Sequence, residues 1–150
     1  MGNVMRTKVF LILMLVGISS FAESKNVIAK NIRTIASVAG LDPDLALAIA
    51  TVESGLNPNV VGGLGEIGLF QLRPQYHKVF KGHPEHNMLI GIAYLAELQK
   101  KYSRKYGDAW FVLYNYGPYN PPKYPRQTAY YKKVMKELNR LKLKEYLAIN

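Results

Sequence analysis

A carboxylate at the end of an apolar helical run, followed by a glycine-rich turn, is the feature that most constrains this chain. The two segments are Glu53-Ser54-Gly55-Leu56-Asn57-Pro58 and, after a short gap, Gly65-Glu66-Ile67-Gly68-Leu69-Phe70-Gln71. Upstream, Asp42 reads as a helix N-cap with Pro43 at the first helical position, and Leu45, Ala48, Ile49 and Val52 recur at the spacing of one helix face. Gly55 is the natural stop. Glu53 therefore falls in the last turn, where the negative end of the helix dipole and the apolar surroundings both disfavour its charge and predict a raised pKa. A carboxyl group kept protonated near neutral pH can act as a general acid. A lone glutamate at a helix end is ordinarily just solvated. The glycine-rich sequel, which brings Gln71 back toward it, gives this one a chemical reading.

Around that core the periodicity predicts an all-α domain, with at most a short strand region. A helix is expected over Val27 to Ala39 on Ile28, Ile32, Ile35 and Ala39, closed by Gly40, and a second over Asp42 to Ser54. Residues 57–73 read mostly as loop with a short strand or helical turn. A long helix is expected from Asn87 to about Tyr106, another capped by Asp108 and running into Tyr114, and a last from Thr128 to Leu147 on the stripe Val134, Leu138 and Leu141. There is no repeat, low-complexity tract or linker.

Five blocks in this order and approximate spacing carry a family resemblance: E-S-G-L-N-P-N from Glu53, G-x-x-G-L-F-Q from Gly65, Ala93-Tyr94-Leu95, Leu113-Tyr114-Asn115-Tyr116-Gly117-Pro118, and an aromatic and basic helix from Thr128. From about Val27 to about Met135 the chain resembles the soluble lytic transglycosylase catalytic domain of the lysozyme superfamily. The resemblance implies a lysozyme-like single domain. It also implies cleavage of bacterial peptidoglycan between N-acetylmuramic acid and N-acetylglucosamine without water, leaving a 1,6-anhydro end. Glu53 then matches the single catalytic acid/base, and Ser54 its neighbour, which braces the helix end rather than reacting. Gln71, Tyr114, Asn115 and Glu66 fall among the expected cleft residues, together with a tyrosine that bonds the acid. Counting three residues on from Thr128 selects Tyr131 for that bond, and counting four back from Val134 selects Tyr130, which is preferred.

The sequence departs from the family pattern at four places. Phe70 stands where methionine is usual. Gly62 replaces a common serine, so any hydrogen bond from that hydroxyl must be absent or supplied elsewhere. Leu113 replaces an alanine and is expected to narrow the cleft. Glu66 replaces a small residue and adds a second carboxylate, which bears on the reaction because a hydrolytic glycosidase ordinarily uses two. A glutamate within a glycine-rich turn is read more economically as an acceptor for backbone N–H groups that organises the loop. Two alternatives stay open: a lysozyme-like muramidase using Glu53 and Glu66, and a non-catalytic glycan-binding component.

The compartment follows from the N-terminus. Arg6 and Lys8, the apolar run Val9 to Ile18, and Ser20-Phe21-Ala22 read as a signal peptide over residues 1–22, with the domain over 23–150. Spanning a bilayer takes about 20 apolar residues, so no stable membrane anchor is expected, and a periplasmic or secreted location is. With no cysteine there is no lipidation site and no disulfide framework. The net charge of +10 would suit nucleic acid, but an exported protein meets the anionic wall instead. Peptidoglycan glycan strands are thus the expected partner and nucleic acid is not. Small single-domain relatives often serve secretion, conjugation or pilus machines, so an assembly of that kind is among the partners the resemblance implies.

Neither metal nor cofactor is expected. His77, His83 and His86 match no common zinc spacing and read as surface-loop histidines. The glycines lack the Gly-Lys-Ser/Thr of a phosphate loop. Trp110 reads as core. Tyr116, Tyr119 and Tyr124, in a proline-rich loop, read as packing that loop down in preference to stacking on sugars.

Overall fold

The computed structural model describes residues 24–149; the expected signal peptide over residues 1–22 lies outside them. Five α-helices make the fold: α1 (Lys25–Val38), α2 (Pro43–Ser54), α3 (Pro84–Tyr106), α4 (Val112–Tyr116) and α5 (Ala129–Ile149), with 3-10 turns at Gly107–Ala109 and Pro125–Gln127. Among the described residues the only extended pairing is two isolated antiparallel bridges, Val61 with Ile67 and Ile67 with Leu72. The domain is all-α and lysozyme-like, as expected. No helix among the described residues is long and apolar enough to cross a membrane.

Helix α2 is central. Asp42 caps it, its carboxylate accepting from the N–H groups of Asp44 (2.9 Å) and Leu45 (3.1 Å), and Gly55 ends it in the left-handed region at φ 60°. Its burial is not confined to the one stripe that the spacing suggests. Ala46, Leu47, Ala48, Ile49 and Ala50 are all buried, while Leu45 and Val52 are only partly so. The reason is tertiary: α1 packs on one side of α2 and α5 on another, so a helix of small and apolar residues is covered over most of its circumference. On α5 the expected stripe Val134, Leu138 and Leu141 is buried against it. On α1, Ala36 rather than Ala39 completes the buried face.

Two boundaries differ from expectation. Helix α3 begins at Pro84 rather than Asn87, because a proline at the first helical position gives up an N–H that has no helical partner anyway. Asp108 does not cap a helix. It lies within the Gly107–Ala109 turn, and its carboxylate instead accepts from Arg126 and from the Tyr131 hydroxyl (2.9 Å).

Between α2 and α3 the loop folds over the core through buried Ile67, Leu69, Phe70 and Leu72. The Phe70 ring lies against Gly91 of α3 so closely that a Cβ there would fall 2.4 Å from it. Glycine at 91 is what lets the loop sit down on the helix.

Candidate active site

Helix α2 delivers Glu53 to a cleft of about 620 Å³ whose walls also include Glu66, Gln71, Tyr114, Asn115 and Tyr94. The last turn of α2 is firm. Ser54 Oγ donates to the Ala50 carbonyl (3.0 Å), and Gly55 and Leu56 both adopt positive φ, turning the chain sharply away. The Glu53 pKa is raised: burial is the main cause, the nearby Glu66 charge adds to it, and a hydrogen bond from Tyr130 opposes it. Among the described residues no cation pairs with Glu53 within ion-pair distance.

Of the two candidate tyrosines, Tyr130 reaches the acid. Its hydroxyl donates to Glu53 Oε1 at 2.7 Å. Tyr131, one position on, points its hydroxyl to Asp108 and stacks its ring on Phe111 at 5.5 Å and 10°. Thr128 sets this division. Its Oγ1 accepts from the Tyr131 N–H (3.1 Å) and donates to the Pro125 carbonyl (2.7 Å), fixing the first turn of α5. Burial holds the Tyr130 phenol far above its ordinary pKa, so it stays a neutral donor.

Glu66 has a different environment. Its Oε2 accepts from the Leu64 N–H (3.0 Å) and its Oε1 from Arg73 Nε (3.1 Å), with 19% of the side chain exposed. Hydrogen bonding from backbone N–H groups and from Arg73 lowers its pKa, leaving it ionised. The two carboxylates are thus pushed in opposite directions. Gly62 allows this arrangement: a Cβ at that position would stand 2.5 Å from Glu66 Oε2 and 2.7 Å from Gln71 Oε1. The space where a serine side chain would project is filled by the Glu66 carboxylate and the Gln71 amide.

Gln71 has φ 44°, unusual for a residue with a side chain. Its Nε2 donates to the carbonyls of Gly68 (2.9 Å) and Val60 (3.2 Å), which anchors the amide in the cleft wall. Tyr114, from α4, donates its hydroxyl to the Phe70 carbonyl (2.6 Å), and burial raises its pKa strongly. Asn115, next along, is exposed at the cleft.

Three expectations are corrected here. Leu113 is 1% exposed and packs in the core, so it does not narrow the cleft. His77 is no free surface histidine: it is half-buried, its ring lies 5.0 Å from Tyr94, and burial lowers its pKa. The loop tyrosines do not pack down. Tyr119 is fully exposed, Tyr124 is 56% exposed and Tyr116, at the end of α4, is 43% exposed. Tyr116 and Tyr119 border the cleft. No cluster of His, Cys, Asp and Glu suited to a metal occurs among the described residues.

The sequence did not single out Asn87 or Arg73, and it marked Tyr94 only as part of the Ala93-Tyr94-Leu95 block, not as a wall residue whose ring stands 5.5 Å from that of Tyr114. Asn87 carried a signal, a polar residue four positions before Gly91 on the apolar face of a helix. Arg73 carried none.

An all-α domain with a partly buried acid at a helix end and a tyrosine bonded to it defines the class. Residues 30–135 match the Transglycosylase SLT domain, and the chain belongs to that family. Over 75 residues it is 39% identical to the endo-type membrane-bound lytic murein transglycosylase A of Klebsiella pneumoniae subsp. pneumoniae, covering 40% of this chain and 37% of that protein. The protein of the same name from Salmonella paratyphi B is matched with the same identity and coverage. The match thus spans little more than a third of the length of these curated relatives. No solved structure gives a significant match.

Proposed function

We propose that this chain is an exported peptidoglycan lytic transglycosylase, with Glu53 as its one catalytic acid and base. The observation that carries the reading is the contrast between the two cleft carboxyls: burial favours the protonated form of Glu53, while Arg73 and the Leu64 N–H keep Glu66 ionised and occupied. Glu53 would give its proton to the glycosidic oxygen as the bond from C1 of N-acetylmuramic acid breaks. The substrate's own N-acetyl group stabilises the positive centre, and the C6 hydroxyl then attacks C1 as the Glu53 carboxylate takes its proton. Protons balance and water does not enter. The names of the relatives, lytic murein transglycosylases, support this reaction and the wall as substrate.

Gln71, Tyr114 and Asn115 would line the sugar cleft, with Tyr116 and Tyr119 offering exposed rings to pyranose faces. Tyr130 would hold Glu53 in line, and export would rest on residues 1–22. Local opening of the wall for a secretion, conjugation or pilus assembly fits a domain of this size.

Products test the assignment. Purified protein acting on sacculi should release muropeptides ending in anhydro-muramic acid, and reducing ends would sink the transglycosylase reading. Glu66→Gln should leave the products anhydro-ended, because C6 remains the nucleophile. Its stability cost should be under about 1 kcal/mol, since the Arg73 pair is partly exposed. Selective loss of reducing-end products in that variant would instead mark Glu66 as activating water.

The pH profile tests Tyr130. Its hydrogen bond favours the charged form of Glu53 and so opposes the effect of burial. Tyr130→Phe should therefore raise the Glu53 pKa further and move the alkaline limb of kcat/KM to higher pH, with less than about a tenfold loss at the optimum. A limb that stays put or moves down would show that the hydroxyl does not act on Glu53.

A further inference from the structure

The turn that carries Gln71 into the cleft is held from below by a buried side chain on α3. Asn87 is 3% exposed. Its Oδ1 accepts from the Phe70 N–H (2.9 Å) and its Nδ2 donates to the Ile67 carbonyl (2.9 Å), so one carboxamide spans the turn through its backbone. The opposite side of the Phe70 residue is held too, because its carbonyl accepts from the Tyr114 hydroxyl (2.6 Å). Phe70 thus has both backbone polar groups engaged by side chains from α3 and α4. The next residue is Gln71, with its positive φ of 44°.

The fit is close. Gly68, at φ 76°, lets Asn87 approach: a Cβ at 68 would stand 2.6 Å from Asn87 Nδ2. One helical turn beyond Asn87, Gly91 admits the Phe70 ring. Position 87 belongs to the buried face of α3 with Met88 and Ile92. An apolar side chain there would leave the buried Phe70 N–H without this partner, which is costly, and would leave the Ile67 carbonyl with the Leu72 N–H (3.1 Å).

We propose that Asn87 is a positioning residue for the reaction: by fixing the Phe70 peptide it maintains the backbone twist that aims the Gln71 amide along the cleft. The inference rests on the reading of this cleft as the glycan site, and it predicts a loss in glycan cleavage that runs through Gln71. A displacement of about 1 Å at a substrate-positioning group is enough to cost rate heavily.

A double-mutant cycle on the full chain decides it. Asn87→Ala should lower kcat/KM on purified glycan strands about tenfold at matched folded concentration. Gln71→Ala should do the same, and the double variant should be no worse than Gln71→Ala alone. Costs that multiply would overturn the proposal. Asn87→Asp provides a second test if the alanine variant does not fold. An ionised carboxylate can still accept from Phe70 N–H but cannot donate to the Ile67 carbonyl, whereas the protonated acid can do both. Its activity relative to native protein should therefore recover as pH falls, and a constant ratio across pH would overturn the role. Amide hydrogen exchange gives a readout without catalysis: Phe70 and Gln71 should exchange at least tenfold faster in the variants while α2 keeps its protection. Unchanged exchange there would reject Asn87 as the brace. Failure of the native protein to cleave glycan would reject the assigned reaction, with the exchange result still judging Asn87.

Discussion

Glu53→Gln should fold as the native chain does and lose about 10²–10⁴ of its rate on sacculi, the span expected when general acid catalysis is removed. The amide preserves shape but has no acidic proton to give the leaving oxygen. Stability adds a signature. Because burial raises the Glu53 pKa, the folded state binds its proton more tightly than the unfolded chain does. Folding stability from this group is therefore fully present below the unfolded pKa and falls as pH rises through the folded pKa. The substituted amide does not titrate, so above that window the variant should be at least as stable as native protein in thermal melts. A variant that digests sacculi at the native rate would remove Glu53 from the mechanism. One that is both inactive and unfolded at neutral pH would refute the account of its environment.

Gly62→Ser should lower glycan cleavage about 10²-fold while costing little stability. The new Cβ would meet Glu66 Oε2 at 2.5 Å and Gln71 Oε1 at 2.7 Å. Both are the far ends of flexible side chains, so the fold yields readily. What shifts is the polar lining of the cleft, and misplacement of about 1 Å in such groups is worth about that factor. Adding Glu66→Ala should recover much of the loss, because it clears the carboxylate from the space the serine needs. The rates of both variants on sacculi check this. Equal activity of Gly62→Ser and native protein would contradict it, as would a double variant no better than the single.

Local chemistry made much of this legible in sequence. Asp42, Pro43 and Gly55 bound α2 because caps act within a few residues, so Glu53 could be placed at a helix end before any packing was known. The brief bridges at Ile67 also suited the expected loop. What escaped depends on contacts distant in sequence. The spacing of α2 suggested one face, but α1 and α5 cover most of it. Leu113 reads as a cleft residue beside Tyr114, yet successive residues of a helix point different ways, and it faces the core. Arg73 has meaning only once the glycine-rich turn closes on Glu66, and Asn87, a polar residue on an apolar helix face, finds its partners only when that turn brings Phe70 and Ile67 to it. Gly62 and Glu66 appeared as separate departures, and the structure makes them two halves of one packing solution.

The bond from Tyr130 to Glu53 joins residues 77 positions apart, and this bears on when the chain acquires its full catalytic arrangement during folding. Helix α2 can form early, since its caps are local, but its acid lacks the steadying hydroxyl until α5 has docked along it. Docking of α5 therefore couples completion of the core to completion of the acid. A chain halted before α5 is made, or one in which α5 has come away, would present the carboxyl without its aligned partner and with one wall of its burial missing. In a protein proposed to cut the wall that shelters the cell, assembly itself would then restrain the reaction before the fold is whole.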